Sequence, residues 1–180
     1  GVSELTNHVI IAGFGRVGKV VAYILEQKHI DYIALDSNIT LVKEARMEGY
    51  QIYHGDMTTQ ETFQSLGASR ALLIVLSTDE DSVTRKAVSK ISTKFRNKAL
   101  IIRASECGVG RALQKLGATV VVPETTEVGI RMGEATLSAL GFSSHEIEPI
   151  IEKMRKDNYE LVEEVELLSN RIKLQRQKDS

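Results

Sequence analysis

The chain has 180 residues, 42% of them hydrophobic and 26% charged, with a formal net charge of -1 and a single cysteine, Cys107. This length and composition suit one folded domain with an appendage and a real core, and the balanced charge excludes a general attraction to nucleic acid or to an anionic membrane surface. One cysteine excludes an internal disulfide and fits a reducing compartment, and no run reaches the roughly 18 to 20 apolar residues of a membrane helix.

A short polar lead-in, Gly1 to Asn7, has no basic-then-apolar leader pattern and runs straight into an apolar strand, as in a piece cut from a longer protein. That strand, Val9 to Ala12, ends in Gly13-Phe14-Gly15-Arg16-Val17-Gly18. A helical pattern follows, with Val17, Val20, Val21, Ile24 and Leu25 assigned to one face, and then a second strand, Tyr32 to Asp36. Strand, glycine turn, helix and strand make one βαβ unit.

The alternation continues with a helix over Leu41 to Gly49, a strand over Gln51 to His54, and a helix over Thr59 to Gly67. Ala71 to Leu76 is apolar throughout, as a strand buried on both faces requires. A helix over Asp81 to Phe95, a strand over Leu100 to Ala104, a helix over Gly110 to Leu116, a strand over Thr119 to Val122 and a helix over Glu127 to Leu140 complete the pattern. Six short apolar strands alternating with helices predict an α/β fold, a Rossmann-type doubly wound parallel sheet in the order 3-2-1-4-5-6.

Beyond Gly141-Phe142 the character changes. Ser143-x-x-Glu146 reads as a capping box, and Pro149 marks a kink or a delayed helix start. Ile150, Met154, Leu161, Val162, Val165, Leu168 and Ile172 recur at helical spacing. Glutamates dominate Glu160 to Glu166, and Arg171 to Lys178 is mostly basic, with the last few residues frayed. This predicts one or two long amphipathic helices that pack on their own domain, a partner or a second copy. The domain reading is therefore 8–142 for the nucleotide-binding fold and 143–180 for a helical extension.

The glycine motif follows a strand, opens a helix, and has Asp36 at the end of the next strand; that context gives it weight. Gly13 permits the tight turn, Gly15 lets backbone approach phosphate, and Gly18 lets the helix pack on the sheet. The helix amides then hold phosphate, and Asp36 accepts from ribose hydroxyls while its charge disfavours a 2′-phosphate. Ser37 follows Asp36 in the same crevice wall, and Phe14 and Val17 belong to the loop itself. Asp56 and Met57 are placed beside the adenine, with Ser77, Thr78 and Asp79 lining the crevice; Asp56 and Asp79 also read as helix N-caps. Arg16 is positioned for a phosphate or a partner's acid. Arg103 ends an apolar strand, is counted with the crevice, and needs a counter-charge such as Glu124.

No catalytic or metal-binding set is legible. His8, His29, His54 and His145 are scattered, and Cys107 precedes Gly108 in an expected loop. The proton-moving groups that a dehydrogenase draws from a second domain have no counterpart, so a non-enzymatic role is expected.

The segment His8 to Gly18, with Ala34-Leu35-Asp36, Tyr53-His54-Gly55-Asp56, Leu66-Gly67-Ala68 and Gly117-Ala118-Thr119-Val120-Val121-Val122-Pro123-Glu124-Thr125, resembles RCK or KTN (TrkA-N-like) domains, in particular those of Kef-type potassium/proton antiporters. The resemblance covers about residues 8 to 142. It implies a regulatory domain at the cytoplasmic face of the cell membrane, joined to the membrane-embedded transport part of a longer protein. It also implies a homodimer with exchanged or crossed helices, and AMP or NAD(H) as the cofactor. Glutathione-gated members carry arginines where this chain has Tyr23 and Pro123, which counts against glutathione control. Two other readings remain open at this point: an NAD-dependent oxidoreductase fragment, and a structural dimerisation domain with an empty crevice.

Overall fold

The computed structural model describes residues 4–178, apart from the side chain of residue 166; the start of the lead-in and the last two residues lie outside the described residues. The strands are β1 (Val9–Ala12), β2 (Tyr32–Asp36), β3 (Ile52–His54), β4 (Leu73–Leu76), β5 (Ala99–Ala104) and β6 (Val120–Pro123). The helices are α1 (Arg16–Glu26), α2 (Ile39–Met47), α3 (Gln60–Ser65), α4 (Asp81–Lys94), α5 (Cys107–Leu116), α6 (Glu124–Ala139) and α7 (Ser144–Lys178).

The six strands form one sheet in the order β3-β2-β1-β4-β5-β6, as the alternation predicts. β1 runs parallel to both neighbours, with Ile10 level with Ile33 and Ile74. Because side chains alternate along a strand, odd and even positions of β1 feed two separate cores. Ile10 and Ala12 join Phe63, Val88, Ile91 and Leu113 from α3, α4 and α5. Val9 and Ile11 join Ala22, Val42 and Ala45 from α1 and α2. Ile10, Ile74 and Phe63 are fully buried, and truncating such a side chain to Ala costs about 2–5 kcal/mol.

Several boundaries differ from the sequence expectation, each for a local reason. α2 starts at Ile39 because the Asn38 side chain accepts from the amides of Thr40 (3.0 Å) and Leu41 (3.2 Å). α6 starts at Glu124, with Pro123 as N-cap and Glu124 and Glu127 as the acids of its first turn. α5 starts at Cys107, so this cysteine is a buried residue of a first helical turn and not of a loop. β4 starts at Leu73, and Leu72 is exposed, so the run from Ala71 is not buried throughout. On α1 the apolar residues do not form one buried face. Gly18 and Ala22 are buried and Val21 and Leu25 pack on the core, whereas Val17, Val20 and Ile24 are exposed.

The chain divides into two compact units. One runs as far as Ala104 and includes Val109–Val122; the other is Ser105–Gly108 with Pro123 onward. Within the second unit, Thr125 donates from its amide and its hydroxyl to Ser105 O, and Cys107 Sγ lies 3.1 Å from Thr126 Oγ1. The capping box forms: the Ser143 amide donates to Glu146 Oε2 (2.9 Å) and the Glu146 amide to Ser143 Oγ (3.4 Å).

α7 continues through Pro149 and breaks later, at Lys156 to Tyr159. Asp157, Asn158 and Tyr159 take φ of 52°, 55° and 64°, a left-handed conformation that costs L-residues about 1–2 kcal/mol each. A clasp on α6 holds the break. The Arg155 guanidinium donates two hydrogen bonds of 2.9 Å to Glu127, and the Tyr159 hydroxyl donates one of 2.5 Å to the same carboxylate.

Candidate nucleotide site

β1 ends at Ala12 and α1 begins at Arg16, so three residues turn the chain from sheet to helix. Gly13 makes the turn with φ of +95°, and a Cβ there would lie 2.9 Å from both Ser77 Oγ and the Thr78 amide. At Gly18 a Cβ would meet the Gly13 carbonyl oxygen at 2.2 Å. These two glycines are demanded by the fold itself. Gly15 is different: it is exposed, and a Cβ there would meet nothing within 4 Å. Gly15 is also the N-cap of α1, which has no side-chain cap and no acid in its first turn. The positive end of α1 is thus presented without a carboxylate of its own, beside a residue whose missing side chain no neighbour requires, an arrangement suited to an anion.

Asp36 ends β2 level with His54. Its Oδ2 accepts from the Phe14 amide and its Oδ1 from the Asn38 amide, each at 2.8 Å. A carboxylate has about four acceptor positions, so about two are not used by these bonds. Asp36 therefore ties the glycine loop to the start of α2. Asn38 is the partner that the sequence reading missed; the pattern Asp36-x-Asn38, an Asx turn running into an N-cap, carried the signal.

The remaining expected residues divide. Arg16, Val17 and Ser37 are exposed, and Ser37 O lies 3.0 Å from His54 Nε2. Phe14 is fully buried, edge-on to Tyr50, so it meets the loop only through backbone. Met57, expected to flank the adenine, has its side chain buried in the main core. Asp56 is exposed and caps its own turn, accepting from the Thr58 amide (2.8 Å) and hydroxyl (2.7 Å); that hydroxyl bond in particular holds its carboxyl below the ordinary value. The N-caps of α3 and α4 are Thr59 and Glu80, so neither Asp56 nor Asp79 serves as one.

At the end of β4, Ser77 is buried rather than lining open space. Its hydroxyl donates to Gly13 O, and its own carbonyl accepts from Arg103 Nη1 at 3.2 Å. Thr78, half-buried, accepts from the Glu80 amide at 3.3 Å, and Asp79 is exposed. Gly13, Ser77 and Arg103 thus form a braced floor beneath the loop. A concavity of about 530 Å³ around Phe95, Arg96 and Lys98 opens where β5 begins, away from these strand C-termini. Open α/β sheets place their ligands at the carboxyl ends. Among the described residues, no group of three His, Cys, Asp or Glu is arranged to hold a metal.

Residues 9–124 match the model of the TrkA-N domain. The chain belongs to the TrkA-N domain family. It is 33% identical over 152 residues to the chloroplastic K(+) efflux antiporter 2 of Arabidopsis thaliana, a match that takes in 84% of this chain but 13% of that protein. Among solved structures it is similar to the Shewanella denitrificans Kef CTD in AMP bound form, with 26% identity, a TM-score of 0.73, and coverage of 89% of this chain and 99% of that one. The GsuK channel bound to NAD shares the fold at 20% identity and a TM-score of 0.67, over 72% of this chain and 24% of its own. The expected RCK/KTN membership and the Rossmann-type sheet are both borne out.

Proposed function

We propose that this TrkA-N domain is the ligand-sensing part of a potassium/proton antiporter or a related potassium transport protein, and that it binds an adenine nucleotide, AMP or NAD(H), at the glycine loop. The supporting observation is the combination, at the carboxyl ends of the neighbouring strands β1 and β2, of an exposed Gly15, an uncapped helix start and an Asp36 carboxylate with acceptor positions to spare. The α1 amides would take the phosphate and Asp36 the ribose hydroxyls, while Arg16 and Thr78 stand where a second phosphate would extend. The AMP bound by the Shewanella denitrificans Kef CTD and the NAD bound by the GsuK channel agree with this chemistry.

The domain acts as a regulator, not as a catalyst. Residues 8–142 form the nucleotide-binding domain, and 143–180 a dimerising and regulatory extension of a homodimer. The chain spans 13% of its plant relative, so the transport machinery is the membrane-embedded part of a longer protein, with this domain on the cytoplasmic face. Among the described residues no helix is long and apolar enough to cross a membrane. Gating follows if two arrangements of the domain differ in nucleotide affinity, because a ligand shifts an equilibrium only by that difference.

The test is a thermal-shift titration with AMP, ATP, NAD⁺, NADH, NADPH and glutathione. A ligand at 100 times its dissociation constant adds about 2.7 kcal/mol. A shift with AMP or NAD(H), and none with glutathione, is expected. No shift with any adenine nucleotide overturns the proposal and leaves a structural domain.

A further inference from the structure

Beyond the break in α7, residues 160–178 carry an apolar seam with coiled-coil spacing: Leu161, Val165, Leu168 and Ile172, separated by four, three and four residues. Val165, Leu168 and Ile172 are 57%, 59% and 47% exposed. They therefore lack the cover that Ile147 of the same helix has, buried at 5% exposure. The left-handed residues Asp157 to Tyr159 interrupt the helix between the two stretches, so the seam is not bound to follow the face that buries Ile147.

Charge selects the occupant. Residues 160–166 hold four glutamates, and 171–178 hold four cations, Arg171, Lys173, Arg176 and Lys178. Two such helices side by side and parallel would set glutamates on glutamates and cations on cations. Reversing one of them sets each acidic half on a basic half. In that reversed alignment the seam also closes on itself, with Val165 beside the partner's Leu168 and Leu161 beside the partner's Ile172. Glu164 then flanks the seam opposite the partner's Arg171, and the two-fold repeats the pair.

We propose that residues 160–178 pair antiparallel with the same segment of a second copy of this chain, in the register that joins Glu164 to the partner's Arg171. This rests on the homodimer reading above and gives it a specific interface.

Sedimentation velocity on the full chain at a series of micromolar concentrations tests it, with Glu164→Arg, Arg171→Glu and the double exchange. Each single reversal replaces two attractive pairs by two repulsive ones, and weakens the dimer about tenfold. The double exchange restores it, which a change in helix stability alone would not do. A wild-type monomer overturns both this pairing and the dimer. A dimer indifferent to the reversals, or one that the double exchange fails to restore, overturns the pairing and leaves the dimer. Nucleotide-induced melting shifts on the same samples report on the sensing site separately.

Discussion

The carboxylate of Asp36 holds the amide of Phe14 at 2.8 Å, across the turn between β1 and α1. The residue expected to read the ribose thus also sets the shape of the loop expected to read the phosphate. Asp36→Ala removes the acceptor of two amides, those of Phe14 and Asn38. The Phe14 amide is part-buried, and leaving such a donor unsatisfied costs about 1–3 kcal/mol, whereas the exposed Asn38 amide turns to water. Loss of nucleotide binding and a lower denaturant midpoint are both expected. A variant that keeps wild-type affinity would remove Asp36 from the site.

Two glycines separate binding from folding. Gly18→Ala brings a methyl group to 2.2 Å from the Gly13 oxygen, an overpacking that costs about 1–3 kcal/mol or more. Gly15→Ala meets nothing within 4 Å, and as a change at an N-cap costs about 1 kcal/mol or less. Urea melts are expected to rank them in that order. A titration is expected to show nucleotide affinity lost in Gly15→Ala, through blocked backbone approach. Undiminished affinity in that variant means no phosphate sits against Gly15.

Ser77→Ala tests the floor of the loop. Its hydroxyl is the group that braces Gly13 O, and it is buried. Removing one such bond costs about 1 kcal/mol. We expect a lower melting temperature and a modest loss of nucleotide affinity, with the far-ultraviolet spectrum unchanged. Equal affinity for the variant and the wild type would show that the loop keeps its shape without this brace.

The clasp on α6 makes the second unit sensitive to acid. The Arg155 hydrogen bonds hold the Glu127 carboxyl below its ordinary value of 4.5. A depressed carboxyl contributes stability above its unfolded value, and that contribution is lost as pH falls through the lowered value. Arg155 is exposed and Glu127 half-buried, so solvent screens the pair and the contribution is about 0.2–1 kcal/mol. Glu127→Gln is expected to melt earlier than wild type at neutral pH. Below pH 4.5 the two melting curves should converge. A gap that persists unchanged into acid would assign the loss to packing rather than to charge.

What could be read from the chain alone was set by local periodicity. Val9 to Ala12, the glycine turn and Tyr32 to Asp36 carry their βαβ unit in consecutive residues, and strands alternating with helices then leave few topologies. The same holds for the capping box at Ser143 and Glu146, whose two bonds lie within one turn. Tertiary structure decided which atoms these residues spend. Met57 is drawn into the core, Ser77 is turned under Gly13, and Cys107 is buried at a helix start. The break in α7 is the clearest case. Pro149 is the local candidate, yet the helix passes through it and breaks at Lys156 to Tyr159. There Glu127, distant in sequence and on another helix, gathers Arg155 and Tyr159 onto one carboxylate. A pattern of neighbours specifies a helix, but a long-range hydrogen bond that offsets backbone strain exists only once the chain has folded.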